Sequence, residues 1–268
     1  MIHTVGWGRG DNSSKCKQPI NPTQGCFGYI SLEGNGPSIR SYNAKPIVSN
    51  DEFIRIYITV DETGNLGRFS SREREYVVVG CVVMNRREFE RASREEAMKL
   101  GREIKFNTDP ELREKIIRIT EPYVAQVYYI RYHKDKLIHN SRKGLPTEDK
   151  HDLHLAMMRA LANAILRDYG GEIYVDIDAN SLVREYEAVR SFEDSPYTGS
   201  SRVRANVDDS ENNFGLQSND MYVGSIGLMV NGPASTGAEV EESRRYAKLF
   251  WSKIKRVFLK EEDWEGLM

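Results

Sequence analysis

Residues 53–65 read FIRIYITVDETGN. Within them, polar residues alternate with four β-branched apolar ones, as in a strand with one buried face: Ile54, Ile56, Ile58 and Val60. Asp61 ends this predicted strand, and the Glu62–Asn65 stretch has the composition of a turn. The next apolar segment, Tyr76–Met84, reads YVVVGCVVM and predicts a second, more buried strand. The two segments together predict a β-hairpin.

Further along the chain, helical and strand patterns alternate. Asn85 is a candidate N-cap, with Glu88 at the capping-box position, and Gly101 ends the predicted helix. Later segments predict, in order, a short strand-like stretch at 102–106, a helix from Asp109-Pro110, a strand at 124–132, a helix around 153–165, a strand at 172–178, a polar insertion or loop at 181–209, and helices at 215–230 and 239–259. Strands interleaved with helices indicate an α/β domain.

The first 50 residues have a different composition. Gly, Pro, Ser and Asn supply 22 of them, and no helical or alternating period persists. We therefore predict an irregular extension at 1–50 and a single folded domain at 51–268. The glycine-rich stretch at 6–10 runs into Asp11-Asn12-Ser13 rather than opening a helix, so it does not predict a phosphate-binding loop.

Composition excludes several classes of protein. Apolar residues make up 39% of the 268, no apolar run approaches the roughly 20 residues of a spanning helix, and the first residues do not resemble a signal peptide. The three cysteines include no Cys-x-x-Cys pair, which argues against a disulfide framework or a cysteine zinc site. We expect a soluble cytoplasmic protein with no membrane partner. The net charge of −2 gives no global basic field, so any nucleic-acid binding is expected to be local.

Acidic residues follow several of the predicted strands. The candidates are Asp61, Glu103, Asp176 or Asp178, and Asp220. In open α/β sheets the functional crevice lies outside the carboxyl ends of the strands, where such side chains converge. Converging carboxylates repel one another unless a cation compensates them. An all-carboxylate set favours Mg²⁺ or Mn²⁺, the ions that serve in phosphoryl-transfer centres. The alternative is that these residues are helix caps, turn formers or surface charges.

Four short motifs resemble domain-of-unknown-function family 3800. VDETGN at 60–65 resembles its "DESG" signature, EIK at 103–105 its "ELK", VDID at 175–178 its later strand-end aspartate, and DSENNFGLQSND at 209–220 its "DS…G-L-Q-x-A-D" helix. They occur in the order of the family and span most of the chain. Thr63, Phe106 and Asn219 depart from the family pattern, whereas all the acidic positions are kept.

The resemblance implies a ribonuclease H-like fold, a mixed sheet flanked by helices. It also implies metal ligation and catalysis by four acids that hold two divalent ions and hydrolyse phosphodiesters: Asp61, Glu103, Asp176 or Asp178, and Asp220. The most specific expectation is therefore a metal-dependent nuclease. Two alternatives stay open: a non-catalytic nucleic-acid-binding or scaffold module of the same fold, and a small-molecule phosphodiesterase. The sequence leaves the choice of DNA or RNA and the oligomeric state undetermined.

Several other residues are candidates for a role at or near this site, each with an alternative structural explanation. Lys105 could meet a substrate phosphate or pair with Glu103. Gln217 could orient a ligand or hydrogen-bond a loop. His151 and His154 lack the further residues of a zinc protease motif and are expected at the surface. Two groups of arginines could line a nucleic-acid path, with a solvated helix face favoured for the first group: Arg86, Arg87, Arg91 and Arg94, then Arg202 and Arg204.

Overall fold

The computed structural model describes residues 55–64, 66, 75–133, 147–179, 184–199, 201–231 and 237–259. The predicted extension at 1–50, including Cys16 and Cys26, lies outside the described residues. Within those residues, no helix is both long enough and apolar enough to cross a lipid bilayer.

The sheet begins as an antiparallel meander. Strands β1 (Arg55–Thr63), β2 (Glu75–Val83) and β3 (Val124–His133) follow one another, and β2 pairs with both of its neighbours. Every residue of β2 is buried, because helices cover both faces of the sheet at its centre. The predicted hairpin of the first two strands is confirmed.

Three later strands complete a mixed six-stranded sheet. Strands β4 (Glu172–Asp178) and β5 (Arg202–Asp208) extend it in parallel from β1, and β6 (Ile254–Val257) pairs in parallel with β3. The strand order is β5-β4-β1-β2-β3-β6. An antiparallel meander extended by parallel strands on the side of its first strand is the ribonuclease H-like arrangement, so the predicted fold class is confirmed.

In the part of the chain that the structure describes, six α-helices flank the sheet: α1 (Arg86–Leu100), α2 (Pro110–Thr120), α3 (Thr147–Asp168), α4 (Glu185–Glu193), α5 (Phe214–Asn231) and α6 (Gly237–Phe250). One apolar core lies between the sheet and α3 and α4, and the other lies under α1, α2, α5 and α6. The predicted caps of α1 are confirmed. The Asn85 side chain accepts from the backbone N–H of Glu88, and Gly101 ends the helix in the left-handed conformation at φ 65°.

Three sequence-based expectations are wrong. The stretch at 181–209, predicted as a loop, contains α4 and β5; β5 is an edge strand whose exposed face carries polar residues, so its apolar pattern is weak. The stretch at 102–106, predicted as strand-like, is a loop. The helix predicted at 239–259 ends at Phe250, and the chain continues through a 3₁₀ turn at Trp251–Lys253 into β6.

His154 is buried rather than at the surface, which corrects a further prediction. It lies on α3 against the sheet, where the Tyr76 hydroxyl is 2.8 Å from its Nδ1. Burial, with a smaller contribution from nearby His151, lowers the pKa of His154 to about 4 from 6.5. The neutral imidazole is therefore the form that the fold accepts.

This burial predicts a loss of stability in acid. The folded-state pKa of His154 lies below its unfolded value, so neutral His154 contributes fully to stability above about pH 6.5. As the pH drops toward 4, this contribution is lost, and the free energy of unfolding falls by up to roughly 3 kcal/mol. His154→Gln is expected to flatten this part of the pH profile in urea unfolding. His151→Gln is the comparison and should keep most of the pH dependence, because His151 makes only the smaller contribution to the lowered pKa. Equal profiles for wild type and His154→Gln would show that His154 is not held neutral by the fold.

Candidate active site

The candidate site lies at the carboxyl ends of β1 and β4. These strands are parallel neighbours, so Asp61 and Asp178 finish side by side on the sheet face that α5 covers. α5 adds Asp220, and the loop between α1 and α2 adds Glu103. Four segments far apart in the sequence therefore bring acidic side chains to one edge of the sheet.

Asp61 is surrounded by other acids. Burial raises the pKa of its carboxyl group well above the usual range, and Glu62, Asp220 and Asp178 raise it further. The backbone N–H of Glu62 donates to Asp61 Oδ1 at 2.6 Å and partly opposes these effects. Without a cation, this group favours the protonated state.

Asp220 and Asp178 are shifted in the same direction. Burial raises the pKa of Asp220 to about 6, although the N–H of Phe106 donates to its Oδ2 at 2.6 Å. Burial also raises the pKa of Asp178, while Lys105 and Ser210 oppose the rise. Asp178 Oδ1 is buried and accepts no hydrogen bond from the described residues. These carboxyl groups are thus under-compensated in the protein alone.

Glu103 and Lys105 lie in the loop that was predicted as strand-like. The Asp109 carboxylate accepts from the Lys105 N–H at 3.0 Å and from Arg102, so local side-chain bonds replace pairing with a strand. Lys105 Nζ lies 2.7 Å from Glu103 Oε1 and 2.9 Å from Ser210 Oγ. Of the two roles considered for Lys105, the ion pair with Glu103 is present in the structure.

Gln217 is fully buried and connects two loops around the site. Its Oε1 accepts from the N–H of Ile104 at 3.3 Å, and its Nε2 donates to the carbonyl oxygen of Ser210 at 2.9 Å. Both amide ends are therefore used to hold backbone. The structure places Gln217 as a support for the Glu103 loop, the second of the two roles considered for it.

Asp176 faces the same side of the sheet as Asp178 but has a different environment. Its Oδ2 accepts from the Tyr57 hydroxyl at 2.7 Å, from Asn213 Nδ2 at 2.8 Å and from Arg86 Nη2 at 3.1 Å. Asp176 is buried among these donors. Of the two β4 aspartates, the structure brings Asp178, and not Asp176, into the group with Asp61 and Asp220.

Asn213 explains why Asp176 is enclosed. Asn213 Oδ1 accepts from the N–H groups of Gly215 and Leu216, in the manner of an N-cap, and its Nδ2 bridges Asp176 and Asp208. The first turn of α5 is thereby fixed over β4. The sequence analysis did not single out Asn213, although an Asn directly before an apolar helix is a recognisable cap signal. Ser210 and Tyr57 were also missed; Ser210 is the serine of the DSENNFGLQSND motif, whereas no local pattern marks Tyr57.

The donor atoms of this group are of the type that a hard divalent cation prefers. It consists of carboxylate oxygens, one of them a buried atom without a hydrogen-bond partner, and burial together with neighbouring acids raises the pKa of Asp61 and of Asp220. Among the residues that the structure describes, no three or more Asp, Glu, His or Cys side chains are arranged so that they could hold a metal ion. The ammonium group of Lys105 supplies positive charge beside Glu103 instead.

Comparison with known proteins gives similarity at the level of the fold. No protein-family model and no curated protein sequence matches this chain. Two solved structures are similar at 15% sequence identity. Ribonuclease H2 from Pyrococcus horikoshii OT3 aligns with a TM-score of 0.41 over 75% of this chain and 81% of its own. A chain of the PCNA:RNase HII complex from Archaeoglobus fulgidus aligns with a TM-score of 0.39 over 74% and 89%. Similarity this distant carries no information on activity.

Proposed function

We propose that this chain is a metal-dependent phosphodiesterase of the nuclease class. The observation that carries the proposal is the meeting of four acidic side chains from separate segments, with pKa values raised at three of them: Asp61, Glu103, Asp178 and Asp220. The motifs that resemble family 3800 contain the same four positions and support the same proposal.

In this proposal, the four acids hold Mg²⁺ or Mn²⁺. When bound, two such ions stabilise negative charge on the attacking and leaving oxygens of a phosphodiester, so no histidine base is required. Lys105 balances the charge of Glu103 and lies where it can also meet a substrate phosphate. Gln217 keeps the loop that carries both of these residues in place.

One observation favours a second candidate, a non-catalytic nucleic-acid-binding or scaffold module. Lys105 already contributes a cation to the group, at 2.7 Å from Glu103 Oε1. A lysine that permanently replaced the metal ions would leave the fold intact and the chemistry absent. A metal-binding measurement separates the two candidates.

We expect Mn²⁺ or Mg²⁺ at millimolar concentration to raise the melting temperature by about 5–10 °C. A ligand present at about 100 times its dissociation constant stabilises the native state by roughly 2.7 kcal/mol, and each kcal/mol corresponds to about 2–4 °C in a domain of this size. Asp61→Asn and Asp178→Asn should each remove most of this shift, because each deletes a charge from the group. Differential scanning fluorimetry with and without metal measures the effect.

Two variants serve as comparisons. Asp194→Asn, which changes an exposed carboxylate at the C-cap of α4, should keep the full shift. Asp176→Asn should also keep most of it, because the Asp176 oxygen is already occupied by protein donors. If neither metal changes the melting temperature of wild type, the scaffold candidate is favoured. A shift lost in Asp176→Asn and kept in Asp178→Asn would reverse the choice of ligand on β4.

A further inference from the structure

The two strands at this end of the sheet carry a gradient of charge. On the face that bears the acids, successive residues of β4 and β5 lie beside each other in register. From the carboxyl ends toward the amino ends, the pairs are Asp178 with Asp208, Asp176 with Asn206, Tyr174 with Arg204, and Glu172 with Arg202. The surface therefore changes along the strands from acidic to basic.

The basic end of this surface is open. Arg202, Arg204 and Asn206 are exposed, whereas the alternating residues of β5 pack toward α4 on the other face of the sheet. We call the exposed side of β5, formed by Arg202, Arg204 and Asn206, the arginine face. It runs directly into Asp208, beside the candidate metal ligand Asp178.

The arginines of this face have few internal partners. The guanidinium of Arg204 lies 6.0 Å from the centre of the Tyr174 ring and, within the described residues, has no carboxylate at ion-pair distance. The Arg202 side chain likewise has neither a hydrogen bond nor an ion pair with any residue that the structure describes. Glu172, the acid of that row, is hydrogen-bonded by the Tyr174 hydroxyl and by Arg55, and Arg204 interacts with it only electrostatically, from beyond ion-pair distance. Two cationic groups are thus left available to an external anion.

The arginines of α1 are different. Three of them are bonded to carboxylates of their own helix: Arg86 to Glu90, Arg91 to Glu88 and Glu95, and Arg94 to Glu90. These pairs fit the solvated helix face that the sequence analysis favoured for this group. Arg86 is also bonded to Asp176, so Arg87 is the one arginine of this group without an ion pair within the described residues, and the pair of unbonded arginines on β5 is the stronger candidate path for a polyanion.

We propose that the arginine face binds the phosphates of a nucleic-acid strand whose scissile phosphodiester lies at the carboxylate group. The inference rests on the proposed function and selects a polymer over a small phosphodiester as substrate. Arg204 and Arg202 lie four and six residues from Asp208, about 13 and 20 Å along the strand. At the roughly 3.4 Å rise of a duplex strand, these distances correspond to about four and six nucleotides. A small phosphodiester does not reach that far.

The chemistry of arginine suits this role. A guanidinium is always charged and presents a planar fork of donors that matches phosphate oxygens. Contacts to the phosphate backbone give affinity and position without reading sequence. We therefore expect binding through this face to depend strongly on salt and weakly on base composition.

The test is binding of a fluorescent single-stranded DNA of about 20 nucleotides, measured by anisotropy in EDTA so that the strand is not cleaved. The double variant Arg202→Gln/Arg204→Gln should bind about tenfold more weakly than wild type. The slope of log K against log salt should fall by about 1.4, or 0.7 for each lost phosphate contact. The control Arg167→Gln/Arg190→Gln removes the same charge from similarly exposed arginines on α3 and α4 and should change neither quantity.

A second measurement separates this inference from the proposed function. With Mn²⁺, the rate on the oligonucleotide divided by the rate on bis(p-nitrophenyl) phosphate should fall about tenfold in the double variant. The inference would be overturned if the double variant bound the strand with the affinity and salt slope of wild type. It would also be overturned if the control variant lost as much affinity as the double variant. No binding by wild type would overturn it as well. If neither substrate is cleaved but the salt slope falls as expected, the arginine face stands and the phosphodiesterase proposal fails.

Discussion

Asp220→Asn is expected to lower the rate of phosphodiester cleavage by at least about a hundredfold, since charge stabilisation by bound metal ions is worth several kcal/mol. The substitution removes one negative charge without changing the shape of the side chain. Asp220 is the candidate ligand carried by α5, and the N–H of Phe106 fixes its carboxylate at 2.6 Å. A lost charge at this position therefore weakens metal binding while the surrounding fold is kept.

The experiment compares wild type, Asp220→Asn and Asp194→Asn on single- and double-stranded DNA, RNA and RNA–DNA hybrid, in Mg²⁺ and then in Mn²⁺. Binding of the strand should weaken far less than cleavage in Asp220→Asn, because phosphate contacts come from other groups. Asp194→Asn should cleave like wild type. If Asp220→Asn cleaved at the wild-type rate, the activity would belong to another site on the protein or to a contaminating nuclease. Binding of the substrates by wild type without any cleavage would favour the scaffold candidate.

The second large effect is expected on stability, from Gly224→Ala. A β-carbon at Gly224 would lie 2.2 Å from Cγ of Phe106, a fully packed ring of the loop that holds Glu103 and Lys105. Alanine at an unhindered helix position is better than glycine by about 1 kcal/mol. Here overpacking should reverse that sign and lower the free energy of unfolding by roughly 2 kcal/mol. Chemical denaturation measures it.

A double-mutant cycle identifies the cause. Phe106→Ala alone should cost about 3 kcal/mol, because it leaves a cavity beside Tyr246 and Arg113. In the Phe106→Ala background, Gly224→Ala should cost nothing or stabilise the protein, so the two effects are not additive. Additive costs would show that the ring and the α-carbon of Gly224 do not share this contact. The pair also matters for the site, since the backbone of Phe106 holds Asp220.

The sequence predicted those parts of the fold in which local pattern and tertiary environment agree. β1 alternates polar and apolar residues, β2 carries continuous apolar residues, and α1 has a capping asparagine and a terminal glycine. Each signal depends only on neighbours within a few residues. Local signals cannot predict the strand order, because the pairing of β1 with β4 joins segments more than 100 residues apart. The family resemblance alone implied that order.

Where the pattern was weak, prediction was wrong. β5 alternates arginine and asparagine with small apolar residues, and as an edge strand it needs only one buried face. The stretch at 102–106 contains alternating residues but is held by the Asp109 carboxylate instead of by a strand. His154 was placed at the surface because its burial depends on Tyr76, which lies far away in the sequence.

The sequence by itself determined which acidic residues were candidates and placed the β1, β4 and α5 acids on their elements, whereas the loop that carries Glu103 was predicted as strand-like. It left Asp176 and Asp178 as alternatives, because both lie on the same face of β4 two residues apart. Only the tertiary structure separates them. The capped first turn of α5 brings Asn213 onto Asp176, with Tyr57 and Arg86 beside it, while Asp178 lies one step further along β4, with Asp61 and Asp220. Side-chain direction follows from the local period of a strand, but the groups that surround a side chain follow from how distant elements pack.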